Sequence, residues 1–228
     1  SAHRLQEPFS PYNDADPRWV ARVEEMVRRH HALADEFGLP EFVSNPYLKE
    51  YRPKATWIPT VVDEGRWSGE ERENELIPTV LHAPSLNFWK GTEVIRPELL
   101  KLHDEGVIRY IEVSGVPPSE MPELVRNADI VVDGIRSGQY GVASVEAMLS
   151  SRVAVSHVWD STRSALKEFS GQDLPVVEAD PDNVGKVIRG LAADPERRKE
   201  LSVEGSRFAK RVHSPESAKR ALAGFLGV

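Results

Sequence analysis

From position 77 onward, the apolar residues fall into short continuous runs that alternate with segments of helical periodicity. The runs predicted to be strands are Thr79–Ala83, Ile108–Ser114, Asp129–Val132, Val153–Ser156 and Pro175–Val177. The segments predicted to be helices are Glu93–Asp104, Glu120–Asn127, Ala143–Ser150, Arg163–Phe169, Asp182–Ala192, Pro195–Arg211 and Pro215–Leu226. Such alternation is typical of a parallel sheet covered by helices on both faces. Residues 77–228 are therefore predicted to form a doubly wound α/β domain.

Residues 1–61 follow a different pattern. Polar residues and prolines predict a loop up to Asp16. Asp16 and Pro17 supply an N-cap and a first-turn proline for an amphipathic helix, which is predicted to end at Phe37 because Gly38 follows it. The remaining short elements are predicted strands at Glu41–Ser44 and Thr56–Pro59 and a helical turn at Pro46–Tyr51. The polar, charged stretch 62–76 is predicted to be a domain boundary.

Composition and charge narrow the possible functions. The chain has 228 residues, a net charge of −7 and a pI of about 5.6, which argue against general binding to nucleic acid. It has no cysteine, so disulfides and thiolate metal sites are excluded, and a cytoplasmic location is expected. The adjacent His30 and His31 project to different faces of their helix, so they cannot form a helical metal pair. No segment approaches the about 18 consecutive apolar residues of a membrane span.

Several signatures of common enzymes are absent from the sequence. The glycines at 134, 138 and 141 do not have the spacing of a dinucleotide-binding fingerprint. The sequence also lacks a P-loop, a zinc-binding His-Glu-x-x-His motif and a Gly-x-Ser-x-Gly nucleophile elbow.

The loop between the third strand of the α/β domain and the helix that follows it carries the first candidate site. Gly138 and Gly141 allow the backbone to approach an anion closely, and the helix that follows directs free N–H groups and its dipole at that anion. The loop lies at the carboxyl end of a strand, where open α/β sheets bind ligands. A phosphate group would fit, but the glycines could also serve only to make a tight turn.

Glu146 falls on the second turn of this helix, among residues that otherwise appear buried. A carboxylate in an apolar setting needs partners. Hydroxyl groups of a ligand could supply them, and a structural hydrogen bond to nearby backbone is the alternative.

Other polar residues follow the carboxyl ends of neighbouring strands. Lys90 precedes Gly91 and a helix, where an anionic ligand would need positive charge, although it could also be a solvated lysine. Asp133 could orient a ligand, but capping of the next loop is the favoured role. His157 and Trp159 follow the fourth strand and could line the same cleft.

Three stretches together resemble a known family: Leu81–Ser85 with Lys90–Thr92, then Asn127–Asp133, then Tyr140–Met148. They are similar to the C-terminal, nucleotide-sugar-binding half of GT-B glycosyltransferases of family 4, and the resemblance extends from Thr56 to the C-terminus. It implies a Rossmann-like domain at 77–228 that binds a nucleoside-diphosphate sugar without a metal ion. Residues 1–61 would then be the remnant of an N-terminal acceptor-binding domain with its linker helix, and 62–76 a hinge loop.

The resemblance also implies roles for individual residues. Lys90 matches the lysine that contacts the donor diphosphate, and it is the candidate catalytic residue. Glu146 matches the glutamate that binds the nucleotide ribose. Two positions depart from the family pattern, because Gly138 replaces the first glutamate of the Glu-x7-Glu motif and Ser85 replaces an arginine. The implied donor-binding residues are Ser85, Lys90, Gly91, Gly138, Gln139, Tyr140, Gly141, Val142 and Glu146.

Two functions are compatible with the sequence. In the first, the chain is the donor-binding part of a retaining glycosyltransferase that transfers a hexose-type sugar to an unknown acceptor, and the chain alone is expected to be inactive. Any membrane association would then come through the rest of the N-terminal acceptor-binding domain, of which residues 1–61 are the expected remnant. In the second, the chain is a non-catalytic nucleotide-binding or interaction module on the same fold, which the two departures would explain.

Overall fold

The computed structural model describes residues 10, 15–72, 75–85 and 87–227. The strands are β1 (Phe42–Val43), β2 (Thr56–Trp57), β3 (Thr79–His82), β4 (Arg109–Glu112), β5 (Ile130–Val132), β6 (Val153–Ser156) and β7 (Val177–Glu178). The helices are α1 (Pro17–Phe37), α2 (Glu64–Trp67), α3 (Asn87–Lys90), α4 (Thr92–Asp104), α5 (Met121–Arg126), α6 (Val142–Leu149), α7 (Asp160–Ser170), α8 (Val184–Ala193), α9 (Pro195–Val212) and α10 (Pro215–Leu226). None of these helices combines the length and apolar character that crossing a lipid bilayer requires.

Strands β3 to β7 form one five-stranded parallel sheet in the order β4-β3-β5-β6-β7. One face packs Leu81, Val131 and Ala154 against the helices on that side. The other face packs Val80 and Ile130 into a second buried cluster. The three central strands β3, β5 and β6 are buried along their length because both of their faces are covered, whereas the edge strands β4 and β7 are partly exposed. The predicted doubly wound α/β fold is therefore confirmed.

The strand order creates a switch point at the centre of the sheet. The chain leaves β3 for the edge strand β4, and then returns to place β5 on the opposite side of β3. The loops that follow β3 and β5 therefore open on the two sides of this point. In open α/β sheets this is where ligands bind, at the carboxyl ends of the strands.

Helix α1 begins and ends where its caps predict. The Asp16 carboxylate accepts a hydrogen bond from the backbone N–H of Arg18 (2.8 Å), and Pro17 occupies the first turn. Gly38 ends the helix in the left-handed conformation, with φ of 60°. Phe37, the last residue of the helix, is 64% exposed, and Val20 is the buried residue of this helix. The loop predicted before Asp16 lies mostly outside the described residues.

The segment 62–76, predicted to be a hinge loop, contains the short helix α2 and lies along the sheet domain. Three side chains in the turn between α6 and β6 donate hydrogen bonds to its backbone carbonyls. Ser150 bonds Trp67 (2.7 Å), Ser151 bonds Gly69 (3.1 Å) and Arg152 bonds Glu70 (3.0 Å). The role of this segment as a domain boundary stays a prediction.

Candidate functional site

An ion pair between Lys90 and Asp133 joins the loops on the two sides of the switch point. Lys90 ends α3, Asp133 follows β5, and Nζ of the lysine lies against Oδ1 of the aspartate. The other carboxylate oxygen, Oδ2, accepts hydrogen bonds from the backbone N–H of Gly141 (2.7 Å) and from Oγ of Ser144 (2.8 Å). Asp133 therefore caps the loop before α6, which was its favoured role in the sequence. It also holds Lys90, so Lys90 is not a solvated lysine.

The pair is charged although Asp133 is buried. Burial alone would raise the pKa of Asp133, but the Lys90 ammonium, the Ser144 hydroxyl and the Gly141 N–H group hold that pKa below its ordinary value. The lysine side chain keeps 22% of its surface exposed, whereas the aspartate side chain keeps 1%. Lys90 is thus the accessible half of the pair.

Glycines make room for this pair. A Cβ atom on Gly141 would lie 2.8 Å from Oδ2 of Asp133 and 3.1 Å from Nζ of Lys90. A Cβ atom on Gly134 would lie 3.2 Å from Cδ of Lys90. Gly141 has a φ of −98°, which other residues also adopt, so the requirement here is close approach and not a special turn.

The N-terminus of α6 adjoins the ammonium group. Val142 and Ala143 are the first two residues of the helix, and neither of their backbone N–H groups has a hydrogen-bond acceptor among the described residues. Free N–H groups at a helix N-terminus carry partial positive charge and bind anions. Lys90 Nζ lies next to Gly141, the residue that precedes this helix, so a side-chain charge and a helix terminus converge here.

Glu146 lies one turn after Val142 on the same face of α6. Its carboxylate makes no hydrogen bond or ion pair with any residue in the described part of the chain, so the structural hydrogen bond to nearby backbone does not form. Burial, followed by the negative charge of Asp133, raises the pKa of Glu146 to about 7. A half-buried carboxylate with no partner in the described part of the chain is available to a ligand.

Gly138 is fixed by Trp159. Its φ of 64° lies in the left-handed region, and a Cβ atom there would overlap the indole ring of Trp159. The backbone N–H of Trp159 donates to the Gly138 carbonyl (3.0 Å), and the ring also packs edge-on against Tyr47 with centroids 5.6 Å apart. Trp159 thus lies against the loop, and its ring fills the space of a side chain at position 138. His157 lies on the same sheet edge, where its Nδ1 bonds Glu178 (2.6 Å).

The side chains of Gln139 and Tyr140 anchor the loop to the protein. The Gln139 amide donates to Oγ1 of Thr162 (3.2 Å). Tyr140 is buried, and its hydroxyl donates to Nε2 of His213 (3.2 Å), whose Nδ1–H donates to the carbonyl of Thr60 (2.8 Å). Burial lowers the pKa of His213 to about 4, so the ring is neutral at pH 7. These two loop residues can meet a ligand mainly through their backbone.

The remaining predicted residues lie around the pair. Gly91 separates α3 from α4 with a φ of 78°, and a Cβ atom there would lie 2.7 Å from Cγ1 of Ile135. Ser85 is exposed in the loop after β3, and Val142 is 48% exposed at the start of α6. The donor-binding roles of these three residues stay predictions.

His82 is a structural element of the site that the sequence did not assign. Its buried ring donates from Nδ1 to the carbonyl of Val132 (2.9 Å) and accepts at Nε2 from Oγ1 of Thr92 (2.8 Å). Burial lowers the pKa of His82, which keeps the ring neutral. The ring therefore links β3, β5 and the start of α4. A histidine that ends an otherwise apolar strand was the available signal.

Comparison with known proteins places this geometry in a fold class. No protein-family model matches the sequence, and no curated protein matches it. Among solved structures, HepE from Anabaena in complex with UDP and glucose aligns with 96% of this chain and 69% of its own, at 13% identity and a TM-score of 0.66. The chain has the α/β fold of GT-B glycosyltransferases.

Two further structures with the GT-B fold align over smaller shares. Sucrose-phosphate synthase from Thermosynechococcus elongatus aligns with 82% of this chain and 57% of its own, at 14% identity and a TM-score of 0.59. TarM from S. aureus, in a complex that contains UDP, aligns with 77% of this chain and 40% of its own, at 13% identity and a TM-score of 0.59. The chain therefore spans between 40% and 69% of these three proteins.

Proposed function

We propose that the chain binds a nucleoside-diphosphate sugar at the carboxyl ends of β3 and β5, as the donor-binding part of a retaining, family 4-like glycosyltransferase. One observation carries this proposal. An accessible ammonium group converges at the switch point of a GT-B fold with a helix N-terminus and a carboxylate, and neither the N–H groups of that terminus nor the carboxylate has a partner among the described residues. The solved complexes of HepE with UDP and with UDP-glucose support the choice of ligand class.

The positive groups are assigned to the diphosphate. Lys90 and the N–H groups of Val142 and Ala143 would bind its oxygens and stabilise the charge that develops as the sugar leaves. Preorganised donors of this kind act without rearranging during the reaction, so Lys90 is the proposed catalytic residue. These groups supply the positive charge themselves, and we therefore propose that donor binding needs no metal ion.

Glu146 is assigned to the ribose of the nucleotide. An ionised carboxylate accepts hydrogen bonds from two adjacent hydroxyl groups, and such charge-assisted bonds are stronger than neutral ones. A pKa of about 7 means that the carboxylate is protonated in acid. Nucleotide affinity should therefore fall as the pH drops below 7.

The sugar and the acceptor depend on the family resemblance. Transfer of a hexose-type sugar with retention follows from that resemblance, and acceptor binding would involve a larger protein than the described residues. We place the reaction in the cytoplasm, since a chain without cysteine suits a reducing compartment.

Calorimetric titration with UDP, GDP and ADP, first without metal and then with magnesium, tests the proposal. We expect metal-independent binding of one of these nucleotides. Lys90→Ala and Glu146→Gln should each weaken it by about tenfold or more, as expected when a charged partner of a buried ligand group is removed. Lys101→Ala is the matched control, because Lys101 is exposed in the last turn of α4. Absence of binding to all three nucleotides at millimolar concentration would contradict the proposal.

A non-catalytic nucleotide-binding module is the second candidate, favoured by the indole ring that fills the space beside Gly138. That position cannot offer a carboxylate to a donor sugar. The two candidates differ in how the sugar affects affinity. A transferase should bind some nucleoside-diphosphate hexoses more tightly than others. A non-catalytic module should bind the free nucleotide and its different hexose derivatives with equal affinity.

A further inference from the structure

The buried carboxylate of Asp133 contacts both halves of the candidate site. It pairs with Lys90 from the β3 side, and it accepts hydrogen bonds from Gly141 and Ser144 on the α6 side. We propose that Asp133 is a positioning residue that holds the Lys90 ammonium against the N-terminus of α6, ready to bind a diphosphate. This inference rests on the proposed function, which supplies the diphosphate.

Lys90 needs such a partner because little else orders its ammonium group. It ends α3, a helix of only four residues. Its backbone is fixed, since its carbonyl accepts from the N–H of Ile135 (3.1 Å), and its stem lies over Gly134. Among the described residues, Nζ has a single ion-pair and hydrogen-bond partner, Asp133.

Stability alone does not account for the pair. Replacing a buried ion pair with apolar residues is often neutral or stabilising, because desolvation of the charges opposes their attraction. Here the pair also requires glycine at 134 and 141, because a Cβ atom at either position would lie within 3.2 Å of the pair. The arrangement suits binding, because a lysine that is already ordered loses less conformational freedom when the ligand arrives.

The pair also leaves hydrogen-bonding capacity for a ligand. An ammonium group has three donors, and Asp133 occupies one of them. The remaining donors are on an accessible side chain, next to the free N–H groups of Val142 and Ala143. A diphosphate can therefore bind while the Lys90–Asp133 pair stays intact.

A double-mutant cycle on diphosphate binding tests the inference. Asp133→Asn keeps the shape of the side chain and removes its charge, Lys90→Gln removes the ammonium group, and the double variant is neutral at both positions. We expect each single variant to weaken diphosphate binding by about tenfold, and the double variant to bind no more than about threefold more weakly than Lys90→Gln, because residues that act as one unit are not additive. Ser144→Ala is the control, since it removes a hydrogen bond from the same carboxylate without changing its charge.

The outcomes separate this inference from the proposed function. If Lys90→Gln has no effect, or if the wild type binds no nucleoside diphosphate, the proposed function fails and the inference fails with it. If Lys90→Gln weakens binding but Asp133→Asn does not, only the inference is overturned. An equal loss from Asp133→Asn in both the wild-type and the Lys90→Gln backgrounds also overturns it, because that result assigns Asp133 a general structural role.

A second measurement covers the case in which Asp133→Asn does not fold. Acylation of Lys90 by an amine reagent, followed by mass spectrometry, reports how firmly the ammonium group is held. In the folded wild type we expect Lys90 to react more slowly than Lys101, and in Ser144→Ala to react at nearly the wild-type rate. Equal reaction of Lys90 and Lys101 in the wild type would overturn the inference.

Discussion

Substitution of Gly138 by alanine tests the packing that defines the candidate loop. Gly138 has a φ of 64°, and the indole ring of Trp159 occupies the space that a Cβ atom would take. The backbone N–H of Trp159 is hydrogen-bonded to the Gly138 carbonyl (3.0 Å), and its ring packs edge-on against Tyr47, so both the backbone and the ring of Trp159 are held against the loop. An alanine at this position must therefore accept both backbone strain and a steric clash.

The two effects can be added. The left-handed conformation costs an L-residue about 1–2 kcal/mol. Overpacking of a well-packed site costs about 1–3 kcal/mol more. Gly138→Ala should therefore lower the free energy of unfolding by about 2–5 kcal/mol, which corresponds to about 4–20 °C in Tm for a chain of this size.

Gly171→Ala provides a matched control, because Gly171 has a φ of 71° but nothing within 4 Å of its Cβ position. That variant should show the strain alone. Urea unfolding followed by circular dichroism would compare both alanine variants with Trp159→Ala and with the Gly138→Ala/Trp159→Ala double variant. In the Trp159→Ala background, Gly138→Ala should cost no more than Gly171→Ala does. The reasoning would be refuted if Gly138→Ala cost no more than Gly171→Ala in the wild-type background.

Three further changes have expected outcomes that unfolding measurements check. The Glu146 carboxyl has a pKa of about 7 in the folded protein and an ordinary pKa of 4.5 in the unfolded chain. Because the folded state therefore binds this proton more tightly, the free energy of unfolding should fall as the pH rises from 4.5 to 7. Glu146→Gln should remove that pH dependence. His213 should produce the opposite pH dependence, because folding lowers its pKa from 6.5 to about 4. The free energy of unfolding should decrease as the pH falls from 6.5 to 4, and this decrease should be smaller in His213→Gln. Arg198, 2% exposed, donates to three backbone carbonyls, so Arg198→Met should cost about 3 kcal/mol in urea unfolding, and an unchanged midpoint would contradict this assignment.

Local signals allowed much of the fold to be predicted. Asp16 and Gly38 fix the ends of α1 through caps that depend only on neighbouring residues. The apolar run Val153–Ser156 is observed as β6 over the same residues. The short helices α2 and α3 were missed because four residues are too few to show helical periodicity. The order of the strands is not contained in such patterns, since it depends on which distant segments pair.

In the candidate site, too, some features could be predicted from local sequence signals and others could not. Lys90 and Glu146 could be selected because their positions relative to helices and apolar neighbours are visible in the sequence. The pairing of Lys90 with Asp133 joins residues 43 positions apart, and Trp159 meets Gly138 from beyond the following strand. Periodicity gives no information about such contacts, so only the structure identifies Asp133 as the link between the two loops.

A crystal structure of the chain with its preferred nucleoside diphosphate would test the central claim most directly. We expect the phosphates within hydrogen-bond distance of Lys90 Nζ and of the N–H groups of Val142 and Ala143, with the ribose hydroxyls on Glu146. The Lys90–Asp133 pair should remain in place. A nucleotide bound elsewhere on the molecule, or bound here without contact to Lys90 and Glu146, would contradict the account.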